Sequence, residues 1–259
     1  MFIDSHCHLD MLDLSRHGGS IENVISAARE RKVEKMLCVC VDLNRFDSMV
    51  SVAAAQSNVW FSAGIHPLYV EECPFERDRL ASLAADRRVV ALGETGLDYH
   101  YSQETREQQQ ASFAGHLQLA GELDLPVIVH TRDAREDTLQ LIRDYGNPES
   151  AGVLHCFTES LEMAKSALDL GYMISFSGIV SFRNASELRE VVKAIPLERM
   201  LIETDSPYLA PVPYRGKPNQ PAYVADVAAC IAELKGIAVE QLAEQTSANF
   251  HQLFKRTRC

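Results

Sequence analysis

Eight short apolar runs, each followed by a longer polar or amphipathic stretch, constrain this chain more than any other feature it has. They fall at residues 2–3, 35–41, 59–64, 89–93, 126–129, 152–154, 172–176 and 200–202, and each reads as a buried strand. Between them, residues 21–31, 104–123 and 161–170 repeat apolar side chains every three or four positions, the helical period. Asp133 with Glu136 has the pattern of a helix start after the fifth run. Strands alternating with helices predict a parallel α/β sheet. At this length the closed (β/α)8 TIM barrel is the expected architecture, with its site at the C-terminal ends of the strands. An open doubly wound sheet is the alternative, but the Gly-x-Gly-x-x-Gly turn it uses after its first strand is absent. Residues 210–221, rich in proline, read as an ordered loop leading to two C-terminal helices. No low-complexity tract or flexible linker interrupts the chain, so residues 1–259 are expected to form a single domain.

Charge and cysteine usage narrow the function. A formal net charge of −11 opposes long, nonspecific wrapping of nucleic acid, which needs many cation–phosphate contacts. It leaves open a strand end entering a locally positive pocket. The seven cysteines (Cys7, Cys38, Cys40, Cys73, Cys156, Cys230 and Cys259) are odd in number and share no repeated spacing. A disulfide framework is not expected, and a reducing cytoplasm is the simplest location. Met1 is followed at once by Phe2-Ile3-Asp4 and then polar residues, unlike a signal peptide, and no apolar run is long enough to span a bilayer. No membrane association and no obligate protein partner are expected.

The residues that follow the strands carry the chemistry. His6 and His8 follow the first, His66 the third, Glu94 the fourth, His130 the fifth, His155 the sixth and Asp205 the eighth. Five of the nine histidines thus fall on one face. His6 and His8 are two apart, so on an extended backbone both imidazoles point the same way and can reach one cation. Glu94 has two oxygens and can bridge two cations; its alternative role is to cap the next helix. His130 and His155 would complete a second shell with Glu94. Asp205 can ligate the first ion and accept a proton from the attacking water, or simply initiate a turn. His66 is a substrate contact or acid at the mouth, or an ordinary turn histidine. Arg132 and Arg183 offer guanidinium forks for phosphate, whereas Arg215 and Lys217 read as solvated surface charges. Tyr99, Tyr101, Tyr208 and Tyr214 can stack a base or sugar, or pack. Cys38-Val39-Cys40 reads as core, and His17, His100, His116 and His251 form no usable pattern.

Taken together, Asp4-Ser5-His6-Cys7-His8-Leu9-Asp10, Gly64-Ile65-His66-Pro67, Gly93-Glu94-Thr95-Gly96-Leu97-Asp98, His130, His155-Cys156-Phe157 and Glu203-Thr204-Asp205-Ser206-Pro207 resemble the TatD family of metal-dependent deoxyribonucleases, in its bacterial YcfH-type branch within the amidohydrolase-like superfamily. The likeness covers essentially the whole chain. It implies His6, His8, Glu94 and Asp205 around one divalent ion, and Glu94, His130 and His155 around a second. Phosphotriesterase-like relatives bridge their metals with a carbamylated lysine on the fourth strand; no lysine lies there in this chain, which favours the nuclease-like branch. The expected reaction is phosphodiester hydrolysis, 3′→5′ on single-stranded DNA. The expected cofactors are two divalent ions, with Zn²⁺, Mn²⁺, Ni²⁺ or Mg²⁺ as candidates. Two rivals remain: a hydrolase of small esters, amides or lactones using the same centre, and a non-catalytic metal-binding scaffold.

Overall fold

In a computed structural model that describes residues 1–258, the strands are β1 (Phe2–Cys7), β2 (Val33–Cys38), β3 (Val59–Ala63), β4 (Val89–Asp98), β5 (Val127–Arg132), β6 (Gly152–Leu154), β7 (Met173–Phe176) and β8 (Met200–Ile202). They pair in chain order and every pair is parallel. Helices α1 (Ile21–Glu30), α2 (Phe46–Val52), α3 (Arg77–Ala84), α4 (Arg106–Leu123), α5 (Arg135–Tyr145), α6 (Leu161–Asp169) and α7 (Ser186–Ala194) fill the crossovers; α8 (Val224–Lys235) and α9 (Val239–Leu253) follow β8. The barrel closes between β8 and β1 just beyond the strand ends. There His8 N–H donates to the Ser206 carbonyl (2.8 Å) and Asp205 N–H to the His6 carbonyl (2.9 Å). One seam therefore fixes His6, His8 and Asp205 relative to one another. Buried Asp4 reinforces it by accepting from Thr204 N–H (2.9 Å) and Thr204 Oγ1 (2.5 Å). Burial pushes the Asp4 carboxyl up to about 8, against the pull of those hydrogen bonds.

Strand residues divide by period two. Ile3, Leu37, Val90, Ile128, Val153, Met173 and Leu201 form one packed layer, closed from below by Phe250 and Phe254. Their neighbours on the same strands pack against the helices. With its floor filled this way, the barrel offers its reactive groups only at the opposite, C-terminal end.

Strand boundaries differ from those read from apolarity alone. β1, β4 and β5 continue past their apolar runs into polar residues, so Glu94 and His130 lie within strands rather than after them. The Asp133 cap does not form. Asp133 is left-handed (φ 54°), the cap position belongs to Ala134, and the Asp133 carboxylate turns to His100 Nδ1 at 3.0 Å. Cys38, Val39 and Cys40 are buried in the core. Cys7, Cys38, Cys40, Cys73, Cys156 and Cys230 are free thiols; Cys259 lies outside the described residues. No helix among the described residues is long and apolar enough to cross a membrane.

His116 also has a defined place. Buried on α4, it donates from Nδ1 to the Ser112 carbonyl (2.7 Å) and accepts the Ile65 N–H at Nε2 (3.3 Å), pinning the β3 loop that carries His66. A proton at Nε2 would face that N–H. Burial accordingly lowers its pKa to about 4. The unfolded chain protonates this group near 6.5 while the native protein does not. Its stabilising contribution is therefore full above that value and is lost as pH falls towards 4, by on the order of 3 kcal/mol. With chelator present, acid melting of His116→Gln should fall less steeply than wild type between about pH 6.5 and 4; parallel curves would contradict this.

Candidate metal centre

Two strands are deformed where they deliver the central groups. β1 slips register against β2 between Asp4 and Cys7, and β4 against β5 between Leu92 and Thr95. Each slip accommodates an extra residue, the signature of a bulge, which re-aims a side chain. In β4 it turns Glu94 inward. Gly93 adopts φ 128°, and a Cβ there would come within 2.6 Å of the Ile128 carbonyl, so only glycine fits.

Glu94 is the hub. Its Oε2 lies 3.3 Å from His6 Nε2 and 4.0 Å from His8 Nε2. Its Oε1 lies 2.8 Å from His155 Nε2, 3.2 Å from His130 Nδ1 and 3.3 Å from His66 Nε2. Asp205, left-handed at φ 56°, places Oδ1 3.4 Å from His8 Nε2 and 3.8 Å from His6 Nε2. Burial would lift the Glu94 carboxyl, but the imidazoles, His155 and His66 foremost, hold it well below the usual carboxylate range.

The outer ring nitrogens show what belongs between these groups. His8 Nδ1 faces the Val39 carbonyl (3.0 Å), His155 Nδ1 faces Glu203 Oε1 (3.3 Å) and His130 Nε2 faces Asp98 Oδ2 (3.1 Å). In a neutral ring the hydrogen sits on that outer nitrogen, and the inner one turns a bare lone pair towards Asp205 or Glu94. A lone pair against a carboxylate repels unless a positive charge lies between. His155 Nε2, although 2.8 Å from Glu94, makes no hydrogen bond. Protonating every ring would crowd imidazolium charges into a buried space where His6 and His155 already stack at 3.9 Å. Divalent cations meet the same demand with nitrogen and oxygen donors they favour, so this donor set fits metal.

His66 differs. Its Nδ1 accepts the Leu68 N–H (3.2 Å), so its hydrogen is on Nε2 and that atom is a donor, not a ligand. His66, Glu94 and His130 are close enough to hold an ion together, and the same Glu94 Oε1 reaches His155 Nε2 at 2.8 Å. His6, His155 and Glu203 also converge; Glu203 Oε1 is taken by His155 Nδ1 and Cys156 N–H (2.7 Å), while its Oε2 has no hydrogen-bond partner.

A cavity of about 620 Å³ opens above the cluster, lined in part by His8, His66, Glu94, His130, His155 and Asp205. Arg132 lies on its wall, its guanidinium 4.5 Å from the Tyr101 ring; Tyr101 and Tyr208 are exposed at the rim. Arg183 is exposed on the turn after β7, outside that lining. Tyr99 is bonded to Asp137 (2.7 Å) and Tyr214 stacks on Tyr223 (3.8 Å), so neither faces the cavity. A hollow of about 730 Å³ beside Met1 and His251, at the other end of the barrel, has no converging donors.

Asp98 and Glu203 were not assigned from sequence, although both sit in the motifs quoted. The available signal was a carboxylate ending an apolar run, which carries it into the interior. Glu203→Gln keeps the acceptor for Cys156 N–H but loses the charge that sets the His155 tautomer. It should weaken metal affinity by roughly 10–100-fold in a competitive chelator titration; an unchanged affinity would remove this role.

A closed parallel barrel with such a donor cluster at its C-terminal mouth has the make-up of a metal-dependent hydrolase. The chain belongs to the TatD-related DNase family, whose profile matches residues 3–255. It is 53% identical to the Escherichia coli K12 protein named uncharacterized metal-dependent hydrolase YcfH, over 97% of this chain and 95% of that one. It is 37% identical to the Klebsiella pneumoniae 3′-5′ ssDNA/RNA exonuclease TatD, over 90% and 91%. Among solved structures, the TatD homologue YJJV of Escherichia coli superposes with a TM-score of 0.90 at 30% identity, covering 98% of both chains.

Proposed function

We propose that this protein hydrolyses phosphodiester bonds, removing nucleotides from the 3′ end of single-stranded DNA, with two divalent ions held around Glu94. The observation that carries the reading is that the two oxygens of one buried carboxylate face separate donor sets, His6, His8 and Asp205 on one side and His130 and His155 on the other. Such ions would supply an ionised water at neutral pH and a Lewis acid for a phosphoryl oxygen. Asp205, on the cavity wall, accepts the proton of the attacking water. His66, with its hydrogen on Nε2, donates to the oxygen of the leaving group. Arg132, backed by Tyr101, presents a planar fork to the phosphate. Imidazole nitrogens suit Zn²⁺, Mn²⁺ or Ni²⁺ better than Mg²⁺, which prefers oxygen.

The cavity volume is that of a small-molecule site, room for a strand end rather than the middle of a duplex. Small esters and lactones also fit such a space, and the experiment must include them. Purified protein is treated with chelator, then given single metals, with 5′-end-labelled single-stranded DNA and a panel of esters and lactones. The expected result is stepwise shortening from the 3′ end that appears only with metal. Intact DNA alongside metal-dependent ester turnover would replace this reading with the small-molecule one.

A further inference from the structure

The loops after β7 and β8 stand out by charge. Residues 177–185 and 206–223 hold Arg183, Arg215 and Lys217 and not one Asp or Glu, in a chain with 36 of them. All three cations are exposed, and the ion pairs made by the chain's other Arg and Lys residues lie elsewhere. The two loops are built as one surface. A Cβ on Gly178 would press into the backbone of Leu209 and Pro211, and Val212 N–H donates to Ser181 Oγ at 2.9 Å. The Arg215 guanidinium carbon sits over the Phe182 ring, 3.6 Å from its centre, a cation–aromatic platform for a base or a phosphate. Ile179 and Leu209, from the same loops, form part of the cavity wall. Phe182 is three residues from Ile179 and so at most about 11 Å from it.

We infer that these loops form a track that holds the phosphodiester backbone of single-stranded DNA as it runs away from the cavity, with Arg183, Arg215 and Lys217 on successive phosphates and the Phe182–Arg215 stack under a base. This rests on the nuclease reading and adds to it a remote binding surface in a protein whose overall charge repels DNA. The track explains how an acidic chain holds a long substrate: local cations act within a Debye length, and the distant negative charge is screened.

The test is binding, measured in chelator so that nothing is cleaved. Fluorescence anisotropy with a labelled 15-mer and a trinucleotide is compared for wild type and the Arg183→Ala/Arg215→Ala/Lys217→Ala variant over a salt series. The variant should bind the 15-mer at least tenfold more weakly. Its slope of log affinity against log salt should shrink by about 2, since each lost phosphate contact on a single strand contributes about 0.7. The trinucleotide, which can cover only the near end of the track, should lose clearly less than the 15-mer. Arg215→Lys keeps the charge and should keep the slope while losing affinity with the guanidinium platform. Equal 15-mer affinity and slope for the triple variant, with unchanged melting, overturns the track even if wild type cleaves DNA. Loss of the nuclease reading would show separately, as failure of metal-loaded wild type to shorten DNA.

Discussion

Glu94→Gln is expected to remove at least one of the two proposed metal ions and to lower turnover on the order of 10³-fold or more, whatever substrate is used. The expectation follows from the position of the carboxylate: both oxygens are committed, one to each donor set. Glutamine has the same shape but no charge, and its amide hydrogens would face ring nitrogens that already need a positive partner. Stability provides a second readout. With metal at about a hundredfold excess over its dissociation constant, wild type should gain roughly 3 kcal/mol that the variant does not. A variant that keeps both ions, or gains the same stability from them, would show that Glu94 is not the bridge.

Asp205→Asn separates binding from chemistry. Asparagine tolerates the left-handed backbone at φ 56° and retains an oxygen to face His8. It cannot take a proton from water. Metal content, read by elemental analysis, should stay near wild type while turnover falls about 10²–10⁴-fold. The two variants should therefore differ in kind: Glu94→Gln loses ions and activity together, and Asp205→Asn loses activity alone. Normal turnover in Asp205→Asn would require another base, and the residues on the cavity wall offer none as well placed.

Much of this was legible in the residues. The eight apolar runs mark every strand because a parallel barrel buries its strands on both faces, leaving an unbroken apolar signal. Polar residues after those runs mark the mouth, and His6, His8, Glu94, His130, His155 and Asp205 all converge there. What sequence did not reveal is geometry that depends on distant partners. Apolarity stops at Gly93, but β4 runs to Asp98 because its later residues pair with β5, including Gly96 with His130 and Asp98 with Arg132. Nothing local distinguishes Glu203, which orients His155 across 48 positions, from Asp205 two residues on. The roles of His66 and His116 turn on which ring nitrogen meets a backbone N–H, and that is decided by tertiary contact. Arg215 reads as a solvated charge until Phe182 is placed beneath it.

Anomalous diffraction from crystals grown with Mn²⁺ puts the bridging role of Glu94 to its most direct test. The bridging role predicts two peaks flanking this side chain, one against Oε2 with His6, His8 and Asp205, the other against Oε1 with His130 and His155. A lone peak that Glu94 does not touch, or two peaks both on one side of it, would contradict it.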